Sequence, residues 1–317
     1  MTDTLLQLVV SDIRAEARDI VSIELRAVTG GTLPPFTAGA HLELLLPNGL
    51  VRQYSLCNDP AESDRYVIGV GRSRPSRGGS EFLHGAIRRG DVLRSRPPRN
   101  HFPMVEDAPA HFFVAGGIGI TPVLAMIRTC LANGTPWHLL YIARSRSRAA
   151  FLEDLADHAA SVTLHFDDEA GGLCDVSALV GAAPADAPVY CCGPAPLMAA
   201  VEAAVADRPP ELVRFEYFAP RAQEDLAPAG GFTLRLSKRG ISIPVAAEQT
   251  ILEALEAHGI EISWACREGV CGSCELGIVS GVADHRDSFL SRQERESNKT
   301  IVTCCSRALT PELEIDL

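Results

Sequence analysis

The chain has 317 residues, of which 46% are hydrophobic and 22% are charged, and its formal net charge is −11. This length favours two or three globular domains, and the acidic balance argues against nucleic acid as a partner. Ten cysteines in so long a chain suit a reducing cytoplasm better than a secreted disulfide scaffold.

The sequence predicts neither a signal peptide nor a membrane span. Residues 1–4 lack the basic segment of a signal peptide. The longest uncharged run, residues 112–127, is short for a membrane span and contains three glycines and a proline. We therefore expect a cytoplasmic monomer that contacts no membrane.

Residues 1–104 contain short predicted strands and no long helical pattern. Apolar and β-branched runs at 5–10, 20–28 and 41–46 alternate with turn signals, of which Pro47-Asn48-Gly49 is the clearest. This pattern predicts a small antiparallel β-barrel.

A polar motif within the barrel has the residue types that a flavin mononucleotide needs. Arg52 could supply a cation for the phosphate, Tyr54 a flat partner for the ring, and Ser55 a hydrogen bond near the reactive ring nitrogen. From their alternation we expect all three on one face of a strand. Alone, the motif also fits an ordinary edge strand.

A second motif in the same domain is suited to an anion. Gly78, Gly79 and Ser80 begin a predicted helix, where backbone N–H groups and a hydroxyl can hold a phosphate. The alternative is a plain loop with a helix cap. Because both motifs lie in one small domain, we expect a flavin there.

Residues 105–222 alternate strands with helices, which predicts a parallel sheet with both faces covered. Ligands of such sheets bind beyond the carboxyl ends of the strands. The predicted strands are Ala110–Val114, Trp137–Ala143, Ser161–Phe166 and Pro188–Cys192.

A glycine-rich turn joins the first of these strands to a helix. It contains Gly116, Gly117, Gly119 and Thr121, and a strand, a glycine loop and a helix together can bind a pyrophosphate. The spacing is not the usual dinucleotide fingerprint. A turn that only lets the helix pack closely on the sheet is the alternative.

The fourth strand ends in Cys191-Cys192-Gly193-Pro194. Gly193 leaves space for a ligand there, and a thiol could lie against a nicotinamide. A buried cysteine is more often a small hydrophobic residue, which is our interpretation of Cys191.

Two further features have two interpretations each. The second strand is followed by three arginines, Arg144, Arg146 and Arg148, near the expected adenine ribose. They either clamp a ribose 2′-phosphate, which would favour NADPH, or form a solvated turn. Phe218 follows the last strand and either shields the flavin or is a core aromatic residue.

Residues 223–317 are predicted to form an α+β domain behind a linker at 221–231, which is rich in Ala, Pro, Gly and charge. A hairpin comes first. A short helix follows, with Thr250 and Glu253 as its capping box.

Four cysteines of this last domain have the ligand spacing of a plant-type [2Fe–2S] cluster. Cys266, Cys271 and Cys274 form C-x4-C-x2-C, and Cys304 follows after a long gap. Zinc would favour a C-x2-C pair on each side, and no second pair follows. Glycines at 269 and 272 should let the loop curl and aim its N–H groups at the sulfurs.

Two neighbouring features need interpretation. Residues 284–287, Asp-His-Arg-Asp, are interpreted as a charged turn, since a lone histidine is too few for a Rieske site. Cys304 and Cys305 follow a predicted strand at 300–303, and neighbours on a strand face opposite sides. We therefore expect only one of the two to face the cluster loop.

The order of these motifs, R-x-Y-S, R-G-G-S, G-G-I-G-I-T-P, C-C-G-P, C-x4-C-x2-C, D-H-R-D and C-x-S-R, resembles the phthalate dioxygenase reductase and vanillate demethylase reductase family over essentially the whole chain. The resemblance implies a flavin barrel, a nucleotide domain and a plant-type ferredoxin domain of the β-grasp type.

The resemblance also implies residue roles. Arg52, Tyr54 and Ser55 would hold FMN, with Gly78 to Ser80 around its phosphate. Gly116 to Thr121 would face the pyrophosphate. Cys192 and Gly193 would lie by the nicotinamide, and the candidate catalytic side chains are Ser55 and Cys192. The family pattern C-x-S-R makes Cys304 the fourth cluster ligand, so that Cys305 would point away from the cluster loop.

A flavin links a two-electron donor to a one-electron acceptor. We therefore expect an NAD(P)H-dependent oxidoreductase that passes electrons from NADH through FMN to a [2Fe–2S] cluster and on to a Rieske-type aromatic oxygenase or demethylase. A cytochrome P450 is the alternative partner. A ferredoxin-like carrier whose front domains have lost catalysis is the alternative function.

Overall fold

The computed structural model describes residues 5–72, 76–221 and 230–317. The chain divides into two compact units, residues 1–216 and residues 217–317. Most of the linker predicted at 221–231 lies outside the described residues. No helix in the described ranges is both long enough and apolar enough to span a membrane.

The first sheet is antiparallel and has seven strands in the order β4-β3-β6-β1-β2-β5, with β7 beside β3. An antiparallel bridge from Leu56 to Ile68 links the two ends of this path, and both side chains are fully buried. The predicted antiparallel barrel is confirmed. Its elements are β1 (Leu6–Ala17), β2 (Ile20–Ala27), β3 (Ala40–Leu45), β4 (Val51–Ser55), β5 (Tyr66–Gly71), α1 (Gly79–Gly85), β6 (Val92–Ser95) and β7 (Arg99–Asn100).

The second sheet is parallel, with five strands in the order β10-β9-β8-β11-β12. All six residues of its central strand β8 are buried, as expected for a parallel strand covered on both faces. The predicted α/β architecture is confirmed. Its elements are β8 (His111–Gly116), α2 (Ile120–Asn133), β9 (Trp137–Ala143), α3 (Leu152–Leu155), β10 (Val162–Phe166), α4 (Asp167–Ala170), α5 (Val176–Gly181), β11 (Val189–Cys192), α6 (Ala195–Ala204) and β12 (Val213–Glu216).

The two sheets share a hydrophobic core. Phe102 and Ile20, from the barrel side, belong to the same buried cluster as Phe113 and Met126 of the parallel-sheet layer. A Cβ atom at Gly71 of β5 would lie 3.2 Å from the side chain of Ile118, so the two layers approach closely. This shared core explains why residues 1–216 form one compact unit.

The second unit is α+β, as predicted. Its main sheet has the order β14-β13-β19-β15-β17, and a small ladder pairs β16 with β18. The capping box of Thr250 and Glu253 is present at the start of α7. Helix α8, with its own capping box, was not predicted. The elements are β13 (Phe232–Leu236), β14 (Ile241–Val245), α7 (Ile251–Ala257), β15 (Glu275–Ser280), β16 (Ala283–Asp284), α8 (Arg292–Ser297), β17 (Thr300–Val302), β18 (Arg307–Ala308) and β19 (Glu312–Ile315).

Candidate functional site

Two glycine turns pack against each other at the carboxyl edge of the parallel sheet. A Cβ at Gly119 would overlap the carbonyl oxygen of Cys192 and lie 2.5 Å from its carbonyl carbon. A Cβ at Gly116 would lie 3.3 Å from the Cα of Gly193. Gly117 has a φ of +54° and open space around it. The absence of side chains therefore lets the turns after β8 and β11 meet where α2 and α6 begin.

Thr121 stabilises the first of these turns. Its hydroxyl donates to the carbonyl of Ile118 at 3.0 Å, and the residue is 1% exposed. We therefore expect Thr121 to contribute to a pyrophosphate site through its backbone and through the conformation of this turn, rather than through its hydroxyl.

We expect Gly119→Ala to lower the free energy of unfolding by about 1–3 kcal/mol, because overpacking of a close contact costs this much. The added methyl would overlap the main chain at Cys192, which has little freedom to move. Gly181→Ala is the matched control, since a Cβ at this residue of α5 would meet nothing within 4 Å. Urea unfolding of both variants measures the difference, and equal stability would contradict the prediction.

Ser55 lies beside a carboxylate that the sequence analysis missed. The Ser55 hydroxyl donates to Glu216 at 3.4 Å, and Glu216 pairs with Cys192 across the parallel strands β11 and β12. Ser55 and Glu216 are 161 residues apart in sequence, so no local sequence pattern predicts this contact. The available signal was a carboxylate at the carboxyl end of a strand, where ligands of parallel sheets bind.

The surroundings of Glu216 and Cys192 favour their protonated forms. Burial raises the pKa of Glu216 to about 8, and the hydrogen bond from Ser55 opposes this shift. The residue as a whole is only partly buried. Burial also raises the pKa of the Cys192 thiol well above its usual value. Ser55, Glu216 and Cys192 therefore form a group that can hold protons near neutral pH.

Arg52 reaches the glycine motif that precedes α1. Its guanidinium donates to the carbonyl of Arg77 at 2.8 Å, and a Cβ at Gly79 would lie 2.6 Å from the Arg52 side chain. Gly78 has a φ of +85°, and the hydroxyl of Ser80 lies 3.5 Å from that of Ser76. The Arg52 cation, the Ser80 hydroxyl and the main chain of Gly78 and Gly79 thus lie close together. This combination of groups can bind a phosphate.

The expectation that Arg52, Tyr54 and Ser55 share one face is wrong. Tyr54 and Ser55 are adjacent in β4, opposite Leu42 and His41 of β3, and adjacent residues of a strand face opposite sides. Ser55 accordingly is buried against Glu216, whereas Tyr54 is only partly buried. Burial raises the pKa of the Tyr54 phenol, so this side chain stays neutral.

Phe218 follows β12 and belongs to the second unit. Its expected place over the flavin stays a prediction. Cys191 is fully buried, and its sulfur lies 3.5 Å from that of Met198, which is the packing of a small hydrophobic residue.

Four cysteine thiols of the second unit contact one another. Cys266, Cys271 and Cys274 come from the loop between α7 and β15, and Cys304 comes from the turn after β17. Hydrogen bonds from Cys271 and Cys304 lower the pKa of Cys266, and a hydrogen bond from Cys304 lowers that of Cys274. The thiols thus contact one another in series, 271 with 266, 266 with 304 and 304 with 274.

The backbone of the loop is directed at these sulfurs, as predicted. The N–H of Glu268 donates to the sulfur of Cys266 at 3.3 Å, and the N–H of Gly269 donates to that of Cys304 at 3.3 Å. Gly269 has a φ of +71°, which few other residues adopt without strain. Such N–H donors stabilise thiolates.

The thiol cluster fits a two-iron group. In the described residues no group of three or more histidine, cysteine or carboxylate side chains is arranged to hold one metal ion. The four contacting thiols supply the number of thiolates that a [2Fe–2S] cluster takes on its two irons. Apolar side chains pack beside Cys274 and Cys304, namely Leu252, Leu290 and Val302.

The expectation that Cys305 points away from the loop is wrong. Strand β17 ends at Val302, and both cysteines lie in the turn after it, so strand alternation does not apply to them. A Cβ at Gly269 would lie 2.5 Å from the Cys305 sulfur. Cys305 is also partly exposed rather than buried.

The interpretation of residues 284–287 as a charged turn is also wrong for its last member. Asp287 is 3% exposed and accepts hydrogen bonds from the N–H groups of Phe289 at 2.9 Å and Leu290 at 2.6 Å. The N–H of Ser288 donates to the carbonyl of Gly269 at 2.8 Å. This segment therefore stabilises the cluster loop from outside.

The chain matches two family models. Residues 234–309 match the 2Fe-2S iron-sulfur cluster binding domain, a range that contains all four converging cysteines. Residues 91–208 match the N-terminal domain of the dimethylamine monooxygenase subunit DmmA-like family.

Several relatives match over nearly the whole chain. A phenoxybenzoate dioxygenase subunit beta of Ectopseudomonas oleovorans is 49% identical over 301 residues, which are 95% of this chain and 94% of that protein. The solved structure of phthalate dioxygenase reductase, described as modular for electron transfer from pyridine nucleotides to [2Fe–2S], is 38% identical with a TM-score of 0.73. That match covers 99% of this chain and 98% of the other.

A longer protein contains a similar region. An intact type IV self-sufficient cytochrome P450 monooxygenase is 41% identical with a TM-score of 0.91, and the match covers 99% of this chain and 41% of that one. This chain therefore spans about two fifths of that monooxygenase.

Proposed function

The chain belongs to the family of phthalate dioxygenase reductase, and from that premise we propose how its own residues carry electrons from NADH to an oxygenase. It is an oxidoreductase, a flavin and iron–sulfur reductase of the kind that serves oxygenases. The observation that carries the proposal is the contact of the four cysteine thiols, which backbone N–H groups stabilise.

We propose the following roles for the first unit. Arg52 with Gly78, Gly79 and Ser80 holds the FMN phosphate, and Tyr54 lies along the ring. Bound FMN would accept a hydride and release electrons singly.

The polar side chains near the reducible part of the ring have a separate role. Ser55 orients that part of the ring and exchanges a proton with Glu216. Cys192 and Gly193 border the nicotinamide, and the turn from Gly116 to Thr121 binds the pyrophosphate.

In the second unit we propose Cys266, Cys271, Cys274 and Cys304 as the cluster ligands. Bound there, the cluster would take one electron at a time. We also propose three domains, which comprise residues 1–104, 105–222 and 223–317. We propose that the protein works as a cytoplasmic monomer.

We propose a Rieske-type aromatic oxygenase or demethylase as the partner, supported by the similarity to a dioxygenase subunit and to phthalate dioxygenase reductase. A cytochrome P450 is the second candidate, and the similarity to a self-sufficient P450 monooxygenase favours it. Reduction of each purified oxygenase by this chain and NADH would distinguish the two partners.

The purified protein should be brown-yellow and carry one FMN and one [2Fe–2S] cluster. The group of Arg52, the glycine turn and Ser80, together with the four thiols, is the reason for this expectation. Acid extraction with chromatography identifies the flavin, and iron and sulfide assays count the cluster. Release of FAD, or of no flavin, would refute the flavin assignment. A separate assay, the reduction of ferricyanide by NADH, distinguishes an active enzyme from a carrier whose front domains have lost catalysis.

A further inference from the structure

A histidine and a carboxylate of the second unit are buried side by side without a hydrogen bond between them. The side chain of His285 is 10% exposed and that of Asp287 is fully buried, and His285 Nδ1 lies 3.9 Å from Asp287 Oδ2. Neither ring nitrogen of His285 makes a hydrogen bond of normal geometry, and Asp287 Oδ2 has no partner either. Unpaired buried polar atoms destabilise a fold, so three of them together call for a functional explanation.

The pair lies directly behind the cluster loop. A Cβ at Gly269 would lie 3.0 Å from the Cα of Asp287, and the N–H of Gly269 donates to the sulfur of Cys304 at 3.3 Å. A Cβ at Gly272 would overlap the ring of Phe289, whose N–H donates to Asp287 Oδ1 at 2.9 Å. A single glycine therefore separates Asp287 from one of the four sulfurs.

Three charged groups face His285. Burial lowers the pKa of the ring below its usual value, and the Arg295 guanidinium adds to this effect. Two carboxylates, Asp287 and Asp284, act in the opposite direction, as does the backbone of Arg295. Asp284 is itself paired with Arg286, from Oδ2 to Nη2 at 2.6 Å. The ring is therefore neutral at neutral pH and adjoins a carboxylate that can pair with it once it is protonated.

Arg295 leaves that carboxylate available. It donates to the main-chain carbonyl of Asp287 at 2.7 Å, and its guanidinium lies 3.7 Å from Oδ1, beyond hydrogen-bonding distance. Oδ1 accepts the two backbone N–H groups, whereas Oδ2 is the oxygen nearest to His285. A small movement of the ring would bring Nδ1 within hydrogen-bonding distance of Oδ2.

Negative charge added at the four thiols would change the balance at His285. In a region of low dielectric constant, a nearby negative charge favours the protonated form of an ionisable group. Coupling between two binding events is reciprocal. A proton that binds more tightly when an electron is present therefore makes the uptake of that electron easier at low pH.

We propose that His285 takes up a proton, stabilised by Asp287, when the cluster bound at the four thiols takes up an electron from FMN. The proton comes from solvent and forms the second N–H bond of the ring. It returns to solvent when the electron passes to the oxygenase. The proposal rests on the proposed reductase function with Cys266, Cys271, Cys274 and Cys304 as ligands, and its consequence is a cluster potential that depends on pH.

A redox titration of the full-length holoprotein, followed by the EPR signal of the reduced cluster, measures this potential between about pH 5 and pH 8. We expect reduction to strengthen proton binding about tenfold, so the wild-type potential should be about 59 mV higher at the acidic limit than at the alkaline limit. His285→Gln should remove this dependence, because glutamine takes up no proton. Iron and sulfide assays establish that each protein carries its cluster.

Two further variants make the result specific. His258→Gln is the matched control, because His258 is the other histidine of residues 217–317 and is exposed, so its variant should keep the wild-type dependence. Asp287→Asn keeps an oxygen for the N–H groups of Phe289 and Leu290 but removes the charge. It should move the rise in potential to lower pH, since protonated His285 loses its counter-ion.

A wild-type potential that stays constant over this pH range overturns the inference, and that measurement does not depend on any variant. A pH dependence that survives in His285→Gln overturns it as well. A reconstituted wild type without the EPR signal would instead refute the assignment of the four cysteines as ligands, and this inference with it. The failure of the ligand assignment is therefore distinguishable from failure of the proton uptake alone.

Discussion

Cys304→Ser is expected to lose the EPR signal of the reduced [2Fe–2S] cluster or to shift it strongly, whereas Cys305→Ser keeps it. The sulfur of Cys304 receives the N–H of Gly269 and hydrogen-bonds to the thiols of Cys266, Cys274 and its neighbour Cys305. Serine in its place would offer iron an alkoxide instead of a thiolate. Electron transfer from NADH to cytochrome c should then fall to background.

Cys305 is the natural control because it lies in the same turn. Its sulfur is 3.8 Å from both the carbonyl of Val302 and the hydroxyl of Ser306, contacts that a serine can keep. The flavin of both variants should still be reduced by NADH in stopped-flow experiments, since the proposed flavin site lies in residues 1–216. A normal EPR signal in Cys304→Ser with a lost signal in Cys305→Ser would reverse the assignment.

Ser55→Ala should slow the reduction of the flavin by NADH by about 100-fold, the lower end of what a positioned proton-transfer group contributes. Glu216→Gln should instead make this rate independent of pH. In the proposed site, hydride transfer to bound FMN would add negative charge next to Ser55, and an ionised Glu216 would oppose it. With a pKa of about 8 for this carboxyl, the wild-type rate should fall about tenfold between about pH 7 and pH 9.

Stopped-flow absorbance of the flavin measures both variants. A wild-type rate that stays constant over this range, or a Glu216→Gln variant with the same decline as the wild type, would contradict the role of Glu216. Glu202→Gln is a suitable control, because Glu202 lies on the partly exposed face of α6 and should leave the pH profile unchanged.

The same carboxyl should also affect stability, with a defined sign. Its folded-state pKa lies above its unfolded value, so the folded protein binds the proton more tightly. Its contribution is complete below the unfolded pKa and is lost as pH rises towards about 8. Glu216→Gln should therefore gain stability relative to the wild type as pH rises, which urea unfolding at several pH values can measure.

Local patterns in the sequence predicted most of the fold. The six-residue apolar run of β8 and the alternation of strands with helices defined the parallel sheet, and Thr250 with Glu253 defined the start of α7. Cysteine spacing predicted three of the converging thiols, and the resemblance to the family predicted Cys304 as the fourth. Each of these signals lies within one element or one loop, where neighbours in sequence are neighbours in space.

The contacts that the sequence did not predict join distant elements or depend on where an element ends. Glu216 contacts Ser55 only because strands β12 and β4 end close together. Glu169 contacts Arg146 only because the neighbouring strands β10 and β9 end side by side. The orientation of Cys305 depended on β17 ending at Val302 rather than a residue later. Asp287 is buried because its carboxylate satisfies backbone N–H groups, which composition alone does not reveal.

The core shared by the two sheets of the first unit limits how such a chain can be rearranged in evolution. A recombination event near residue 104 would separate Phe102 from Phe113 and Met126 and leave apolar faces on both fragments, which would then aggregate or fail to fold. An exchange beyond residue 216 would keep that core whole. Electron-transfer modules of this type should therefore be inherited with barrel and nucleotide sheet together, while the iron–sulfur unit is free to be gained, lost or moved.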